Sequence, residues 1–122
     1  MKPDLSAYLG QMLRVVVDRP LGSTHPRFPS LTYGVNYGFL PHTISGDGMD
    51  IDVYLVGWDA PLREADAEIV AVVARADDRE DKLIGVLPGT TWTLKELQGA
   101  VEFQEQYFDS SLIPGATVIP DD

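Results

Sequence analysis

The chain has 122 residues, and 19 Asp and Glu against 9 Lys and Arg give a formal net charge of −10. The length predicts a single domain, residues 1–122, with one hydrophobic core. The acidic balance argues against a nucleic-acid or anionic-membrane partner, since both need basic patches. The absence of cysteine excludes disulfides and thiolate metal sites. It is also compatible with the reducing cytoplasm, where we expect the protein.

The first half of the chain predicts three short strands. Residues 3–12 fit either a short helix or an arm. β-branched, aromatic and apolar residues predict strands at 13–17, 33–39 and 52–58. Pro, Gly and Ser make residues 18–32 a loop or an irregular sheet edge. In the third strand alternate side chains are apolar on both faces, which is typical of a strand that is covered on both sides.

The second half predicts two buried strands, one helix and a closing strand. The apolar runs 69–74 and 82–87 are typical of buried strands. Thr93 and Glu96 fit a capping box at the start of a helix, whose apolar stripe continues to Phe108. Pro114 and Gly115 are expected to stop this helix, before a short strand at 116–119. The elements, about five or six short strands and one helix, together predict a mainly β (α+β) fold: a small closed or nearly closed barrel with a C-terminal helix packed on it.

Three carboxylates lie within six residues around a Gly-Asp-Gly turn, at Asp47, Asp50 and Asp52. Carboxylates this close repel one another and raise one another's pKa, so a site that keeps them ionised usually supplies a cation. Hard oxygen ligands suit Mg²⁺ or Mn²⁺ better than zinc. The segment therefore predicts a divalent-metal site, in which Asp50 and Asp52 project to the same face if the strand starts near Asp50.

A second acidic segment comes directly before Lys82 and contains Asp77, Asp78, Glu80 and Asp81. If the flanking strands neighbour the Asp52 strand, both acidic segments meet at one rim of the barrel. Two facing sets of carboxylates can hold two or more cations, as in two-metal phosphoryl-transfer sites. Lys82 and Arg27 would then bind phosphate oxygens, Arg27 through its forked guanidinium.

The segment from Asn36 to Gly48, Asn-Tyr-Gly-Phe-Leu-Pro-His-Thr-Ile-Ser-Gly-Asp-Gly, resembles the signature region of the soluble (family I) inorganic pyrophosphatases. Three weaker similarities occur in the same order as in the family. Residues 16–20 resemble the family's early strand, and residues 77–86 resemble its acidic segment with a Lys and the strand that follows. The helix that carries Tyr107 resembles the family's C-terminal helix. The resemblance implies a five-stranded, OB-like barrel that hydrolyses pyrophosphate, or a related small phosphoanhydride, with Mg²⁺. It also implies a homo-oligomer.

The same resemblance implies roles for individual residues. Asp50 would act as the base, and Tyr37 would contact phosphate or water. Phosphate would be bound by Arg27, Lys82 and Tyr107. The metal ligands would be Asp18, Asp47, Asp52, Asp77 and Asp81.

The chain departs from the family pattern at several of these positions. Met49 stands where the family has the middle Asp, and Asp50 comes one residue later. Pro29 and Phe108 replace a Glu and a Lys, and a hairpin with a phosphate-binding Arg is missing between Ser30 and Tyr33. These departures leave three hypotheses: a Mg²⁺-dependent pyrophosphatase, a catalytically impaired relative that binds metal or phosphate, and an OB-like nucleic-acid binder. The net charge opposes the last.

Overall fold

The computed structural model describes residues 2–121. A short 3₁₀ helix, Leu5–Tyr8, precedes the first strand. The strands are β1 (Met12–Arg19), β2 (Asn36–Leu40), β3 (Ile51–Val56), β4 (Glu64–Arg75), β5 (Lys82–Val86) and β6 (Ser110–Pro114), and the helix α1 spans Leu94–Glu105. None of the helices in the described part of the chain is long and apolar enough to cross a membrane.

Five of the strands form a closed barrel. The strand order is β1-β2-β3-β5-β4, and β4 pairs back with β1. The β3–β5 pair is parallel, while the other pairs are antiparallel. Strand β4 is long because one of its edges pairs with two strands in succession: Glu64–Glu68 pairs with β1, and Ala71–Arg75 pairs with β6, while Glu68–Val73 pairs with β5 on the other edge. The predicted fold class, a mainly β, OB-like five-stranded barrel with a C-terminal helix, is confirmed.

Two apolar layers hold the elements together. Val53 and Leu55 of β3 point into the barrel with the inward side chains of the other strands. Tyr54 and Val56 point outward, where they pack with Leu97 and other residues under α1. The predicted alternation along this strand is therefore correct. It also places Asp52 on the outer face, on the same side as Tyr54.

The capping box of α1 is confirmed, but its predicted end is wrong. Thr93 Oγ1 accepts from Glu96 N at 3.1 Å, and Glu96 Oε1 accepts from Thr93 N at 2.8 Å. The helix ends at Glu105 because the following residues form β6 on the part of β4 that β1 leaves unpaired. The predicted strand at 116–119 is also wrong, since only Ile119 forms an isolated bridge, to Thr93.

Other boundaries differ by a few residues. Residues 3–12, which fit either a short helix or an arm, contain the 3₁₀ helix. Strand β1 continues through Asp18 and Arg19, which were predicted as loop. Strand β2 begins at Asn36 rather than at Tyr33, and β4 begins earlier than its apolar run because its polar first half pairs with β1. The expectation of one domain over residues 1–122 stays a prediction.

Candidate functional site

A cleft of ≈ 860 Å³ lies on the outer side of the barrel. Its floor comes from the ends of β1, β3, β4 and β5, and its two walls come from the β1–β2 connection and the C-terminal end of α1. Charged groups of both signs line it: Asp18, Arg19, Arg27, Asp52, Arg75, Asp78, Glu80 and Lys82. Aromatic side chains line it as well: His25, Phe28, Tyr33, Tyr37, Tyr107 and Phe108.

The two acidic segments of the sequence meet beside this cleft. The buried Ser45 hydroxyl is hydrogen-bonded to Asp47, and it lies 3.3 Å from Glu80 Oε2. Gly46 permits the approach, because a Cβ there would overlap the Arg79 carbonyl oxygen. The predicted convergence of the two segments at one rim is therefore observed.

Lys82 is the central cation of the site and is only 3% exposed. Its Nζ donates to Asp52 Oδ2 at 2.8 Å and to Glu80 Oε1 at 2.7 Å. Burial alone would lower the pKa of Lys82, but the charges of Asp52 and Glu80 outweigh burial and raise it. The ammonium group therefore stays protonated and holds carboxylates from two separate segments together.

The acids around Lys82 titrate differently. Burial raises the pKa of Glu80, although Lys82 opposes the shift, and burial raises the pKa of Asp18 against the effect of Arg19. Burial also opposes the charge of Asp47, but its hydrogen bonds lower its pKa to about 2. Burial thus favours the neutral forms of Asp18 and Glu80, and a further cation close to them would favour their ionised forms.

Tyr37 lies against the same group of charges. The Lys82 Nζ is 5.4 Å from the centre of its ring. Burial, together with the charge of Asp52, raises the pKa of Tyr37 well above its ordinary value. Its hydroxyl therefore remains protonated and can act as a hydrogen-bond donor.

A second buried cation, Arg75, forms the floor next to α1. Its Nε and Nη2 donate to the two carboxylate oxygens of Glu105, at 3.0 and 2.6 Å, and Nη1 donates to Asp78 at 2.8 Å. The guanidinium stacks on Phe108, 3.6 Å from the ring centre. Tyr54 also donates to Glu105, so this network ties the end of β4 to the end of the helix.

The structure gathers six of the predicted site residues around the cleft: Asp18, Arg27, Tyr37, Asp52, Lys82 and Tyr107. Asp47, Asp50, Asp77 and Asp81 are not among the lining residues. Asp50 accepts from Thr43 N at 3.2 Å, and Asp77 accepts from Asp109 N at 3.1 Å. Asp81 accepts from Lys2 Nζ at 2.8 Å and from Arg75 N at 3.0 Å. The roles predicted for all ten residues stay predictions.

Three residues that complete the site had no role in the sequence prediction: Ser45, Arg75 and Glu105. Asp78 and Glu80 were predicted only as members of the second acidic segment, without a role of their own. For Glu80 the sequence carries a signal. Side chains alternate along an extended segment, so the residue two positions before Lys82 shares its side and the residue directly before it does not. This alternation favours Glu80 over Asp81. Arg75 and Glu105 carry no comparable signal, because their contact depends on where α1 ends.

The acidic side chains that line the cleft are Asp and Glu, and their carboxylate oxygens are suitable ligands for a hard divalent cation. However, within residues 2–121 no group of three or more His, Asp or Glu side chains is arranged to hold a metal ion. The Lys82 ammonium lies between Asp52 and Glu80, so these two acids already share one positive charge. A metal would therefore use carboxylate oxygens that Lys82 leaves open.

Comparison with known proteins identifies relatives by family and by fold. Residues 12–111 match the family model described as inorganic pyrophosphatase. A search of curated proteins found no match. An inorganic pyrophosphatase from Neisseria gonorrhoeae is 27% identical with a TM-score of 0.55, and the alignment covers 66% of this chain but only 58% of that chain.

Two further solved structures are similar in fold over more of the chain. The inorganic pyrophosphatase from Ehrlichia chaffeensis has a TM-score of 0.65 at 20% identity, with 87% of each chain covered. That from Coxiella burnetii has a TM-score of 0.58 at 16% identity, and covers 87% of this chain and 86% of its own. At such identities the likeness concerns the fold alone.

Proposed function

Because the chain belongs to the inorganic pyrophosphatase family, we propose that it hydrolyses inorganic pyrophosphate to phosphate in this cleft, with Mg²⁺ as the cofactor and Mn²⁺ as a possible substitute. The observation that carries the proposal is the position of Lys82, buried at the floor of the cleft between Asp52 and Glu80. A fixed cation that is surrounded by acids can bind phosphate oxygens once further positive charge is present.

We propose separate substrate-binding and metal-binding roles for the residues in and beside the cleft. Lys82 and Arg27 bind the substrate's phosphate oxygens, and Tyr37 and Tyr107 donate hydrogen bonds to them. Asp18, Asp52 and Glu80, which line the cleft, are proposed to hold Mg²⁺ together with Asp47, which is linked to Glu80 through Ser45. Asp77 and Asp81 are also proposed as ligands from the resemblance, but each would have to exchange its present backbone contact.

The reaction itself needs one attack and one proton transfer. A water oxygen bonds to one phosphorus, the bridging P–O bond breaks, and one phosphate leaves. The proton of the water passes to a carboxylate. The acceptor proposed from the resemblance is Asp50, directly before β3, which would have to leave its contact with Thr43 N to reach the cleft. Bound Mg²⁺ supplies positive charge against the phosphate oxygens and acidifies water.

A catalytically impaired, metal- or phosphate-binding relative is the second candidate. It is favoured by Met49, which is 69% exposed where the family has an Asp. This candidate predicts that Mg²⁺ raises the melting temperature without turnover.

We also propose that the protein is a cytoplasmic homo-oligomer that binds neither nucleic acid nor membranes, as expected from the sequence.

Phosphate release from pyrophosphate tests the proposed activity. We expect turnover with Mg²⁺ that Asp52→Asn reduces at least about 100-fold, since charge stabilisation in phosphoryl transfer is worth that much. The matched control is Asp66→Asn, which removes a carboxylate paired with Arg14 on the exposed side of the sheet. It should keep full activity. No turnover above the blank with Mg²⁺ or Mn²⁺, from mildly acid to alkaline pH, would contradict the proposal.

A further inference from the structure

The outer part of the cleft has a different character from its acidic floor. We propose that this outer part binds the base of a nucleoside 5′-diphosphate, so that the protein accepts organic phosphoanhydrides in addition to inorganic pyrophosphate. The inference rests on the proposed function, because the phosphates of both substrates would occupy the same floor next to Lys82. It extends that function by adding a subsite, formed by the walls of the cleft, for a planar aromatic group.

The size of the cleft is the first argument. Its volume of ≈ 860 Å³ lies near the upper end of the roughly 300–1,000 Å³ that pockets for drug-sized ligands occupy. Inorganic pyrophosphate is much smaller than such a ligand and, at the floor, would leave the space between the two walls open. A nucleoside attached to the phosphates would extend into that space.

The distribution of charge is the second argument. Four of the chain's nine Lys and Arg residues line this one cleft, in a protein whose formal net charge is −10. Lys82 and Arg75 are bound to carboxylates. Among the described residues, neither the Arg27 nor the Arg19 side chain forms a salt bridge; Arg19 donates to the Asp18 carbonyl oxygen at 3.0 Å and lies against the Tyr33 hydroxyl. Two guanidinium groups are therefore available for anionic phosphate above the floor.

The aromatic wall is the third argument. Phe28 is 60% exposed although it lines the cleft, and the centre of its ring lies 5.0 Å from that of His25. It directly follows Arg27, so a cation for phosphate and a ring for stacking are neighbours. Tyr107, which is 69% exposed, lines the same cleft from the α1 side. Exposed aromatic faces of this kind stack on nucleobases of any sequence.

The segment that carries Phe28 is held in a defined shape. It forms a hairpin in which Thr24 and Thr32 pair, His25 N donates to Leu31 O at 2.9 Å, and Leu31 N donates to Phe28 O at 2.8 Å. The hairpin is anchored from below, where the His25 ring stacks on buried Tyr33. Phe28 is therefore presented to the cleft by an ordered backbone, which lowers the entropic cost of binding a ligand there.

Two matched probes test the subsite without relying on turnover. Methylenediphosphonate and adenosine 5′-(α,β-methylene)diphosphate carry the same bridged phosphorus pair, and only the second carries a nucleoside. In calorimetric titrations of the full chain with Mg²⁺, we expect the nucleotide analogue to bind more tightly. Phe28→Ala should weaken its binding about fivefold or more, at the lower end of base stacking because the ring is partly exposed. Binding of methylenediphosphonate should not change.

Ile44→Ala is the control, since Ile44 is 70% exposed and lies outside the cleft. It should affect neither probe. Tyr107→Ala is the second test variant. It should weaken both probes, because the Tyr107 hydroxyl is proposed to bind phosphate, and it should weaken the nucleotide analogue more, because the ring that would stack on the base is also lost. Equal binding of the two probes to the unmodified protein would overturn the inference. So would a Phe28→Ala variant that weakens both probes equally, or one that changes only the oligomeric state, because the ring would then serve a contact between copies.

These results separate the inference from the proposed function. If pyrophosphate is hydrolysed and the nucleoside adds nothing to binding, the subsite is refuted and the hydrolase remains. If the nucleotide analogue binds in a Phe28-dependent way and no substrate is hydrolysed, the subsite remains and the hydrolase is refuted.

Discussion

Lys82→Met is expected to reduce phosphate release from pyrophosphate at least about 100-fold and to lower the stability of the fold. The Lys82 side chain is 3% exposed and donates to Asp52 and Glu80, whose side chains are 27% and 14% exposed. Without the ammonium group two largely buried carboxylates face each other with no cation between them. Removing one partner of a buried ion pair costs about 3–5 kcal/mol, and we expect the lower value because Asp52 is partly solvated.

Activity and thermal unfolding are measured together for this variant. Activity is compared below the melting temperature of each protein, so that loss of fold and loss of function remain distinct. Lys82→Arg keeps the charge and should be the more stable of the two variants. Arg14→Met is the control: Arg14 is 53% exposed, so its ion pairs with Glu64 and Asp66 should contribute less than about 1 kcal/mol. A Lys82→Met protein with more than half of the activity would contradict the role proposed for Lys82.

The largest effect on stability is expected from the ion pair below α1. Arg75 and Glu105 are 3% and 4% exposed and are joined by two parallel hydrogen bonds. Arg75→Leu leaves the Glu105 carboxylate buried without a cation, which should cost about 3–5 kcal/mol of the free energy of unfolding. For a domain of this size the melting temperature should fall by roughly 10–20 °C.

The double variant Arg75→Leu with Glu105→Leu isolates the cause. If the cost comes from an uncompensated charge, removing the second charge should recover at least half of the lost stability. Glu64→Leu, at an exposed pair with Arg14, should change stability by less than about 1 kcal/mol. Additive losses in the double variant would indicate that packing, and not charge, is what Arg75 supplies.

The sequence predicted those parts of the fold that depend on a few neighbouring residues. The alternation at Val53 and Leu55 is enough to define a strand that is covered on both faces, and Thr93 with Glu96 is enough to start α1. The end of α1 could not be predicted from its apolar stripe, because β6 forms only where β4 offers an unpaired edge. Whether such an edge exists depends on the register of β1, which is a property of the whole barrel.

In the site, too, some features follow from local sequence and others depend on the tertiary structure. The expectation that the strands flanking the second acidic segment neighbour the Asp52 strand predicted where the two acidic segments meet, and β3 does pair with β5. Which acid of a run points into the cleft depends on the exact start of a strand. Because β5 begins at Lys82, the strand's alternation extends back to Glu80 and leaves Asp81 on the other side, where it contacts Lys2. Arg75 and Glu105 meet only through tertiary packing, so no local pattern indicates them.

The central claim is that carboxylates from separate segments share divalent cations next to Lys82. Anomalous diffraction from crystals soaked in millimolar Mn²⁺ tests it most directly, because it locates the metal without assuming activity. The account predicts an anomalous peak in the cleft that is ligated by Asp52, together with at least one of Asp18, Asp47 and Glu80. A cleft without such a peak, with Mn²⁺ bound only at carboxylates elsewhere on the surface, would contradict it.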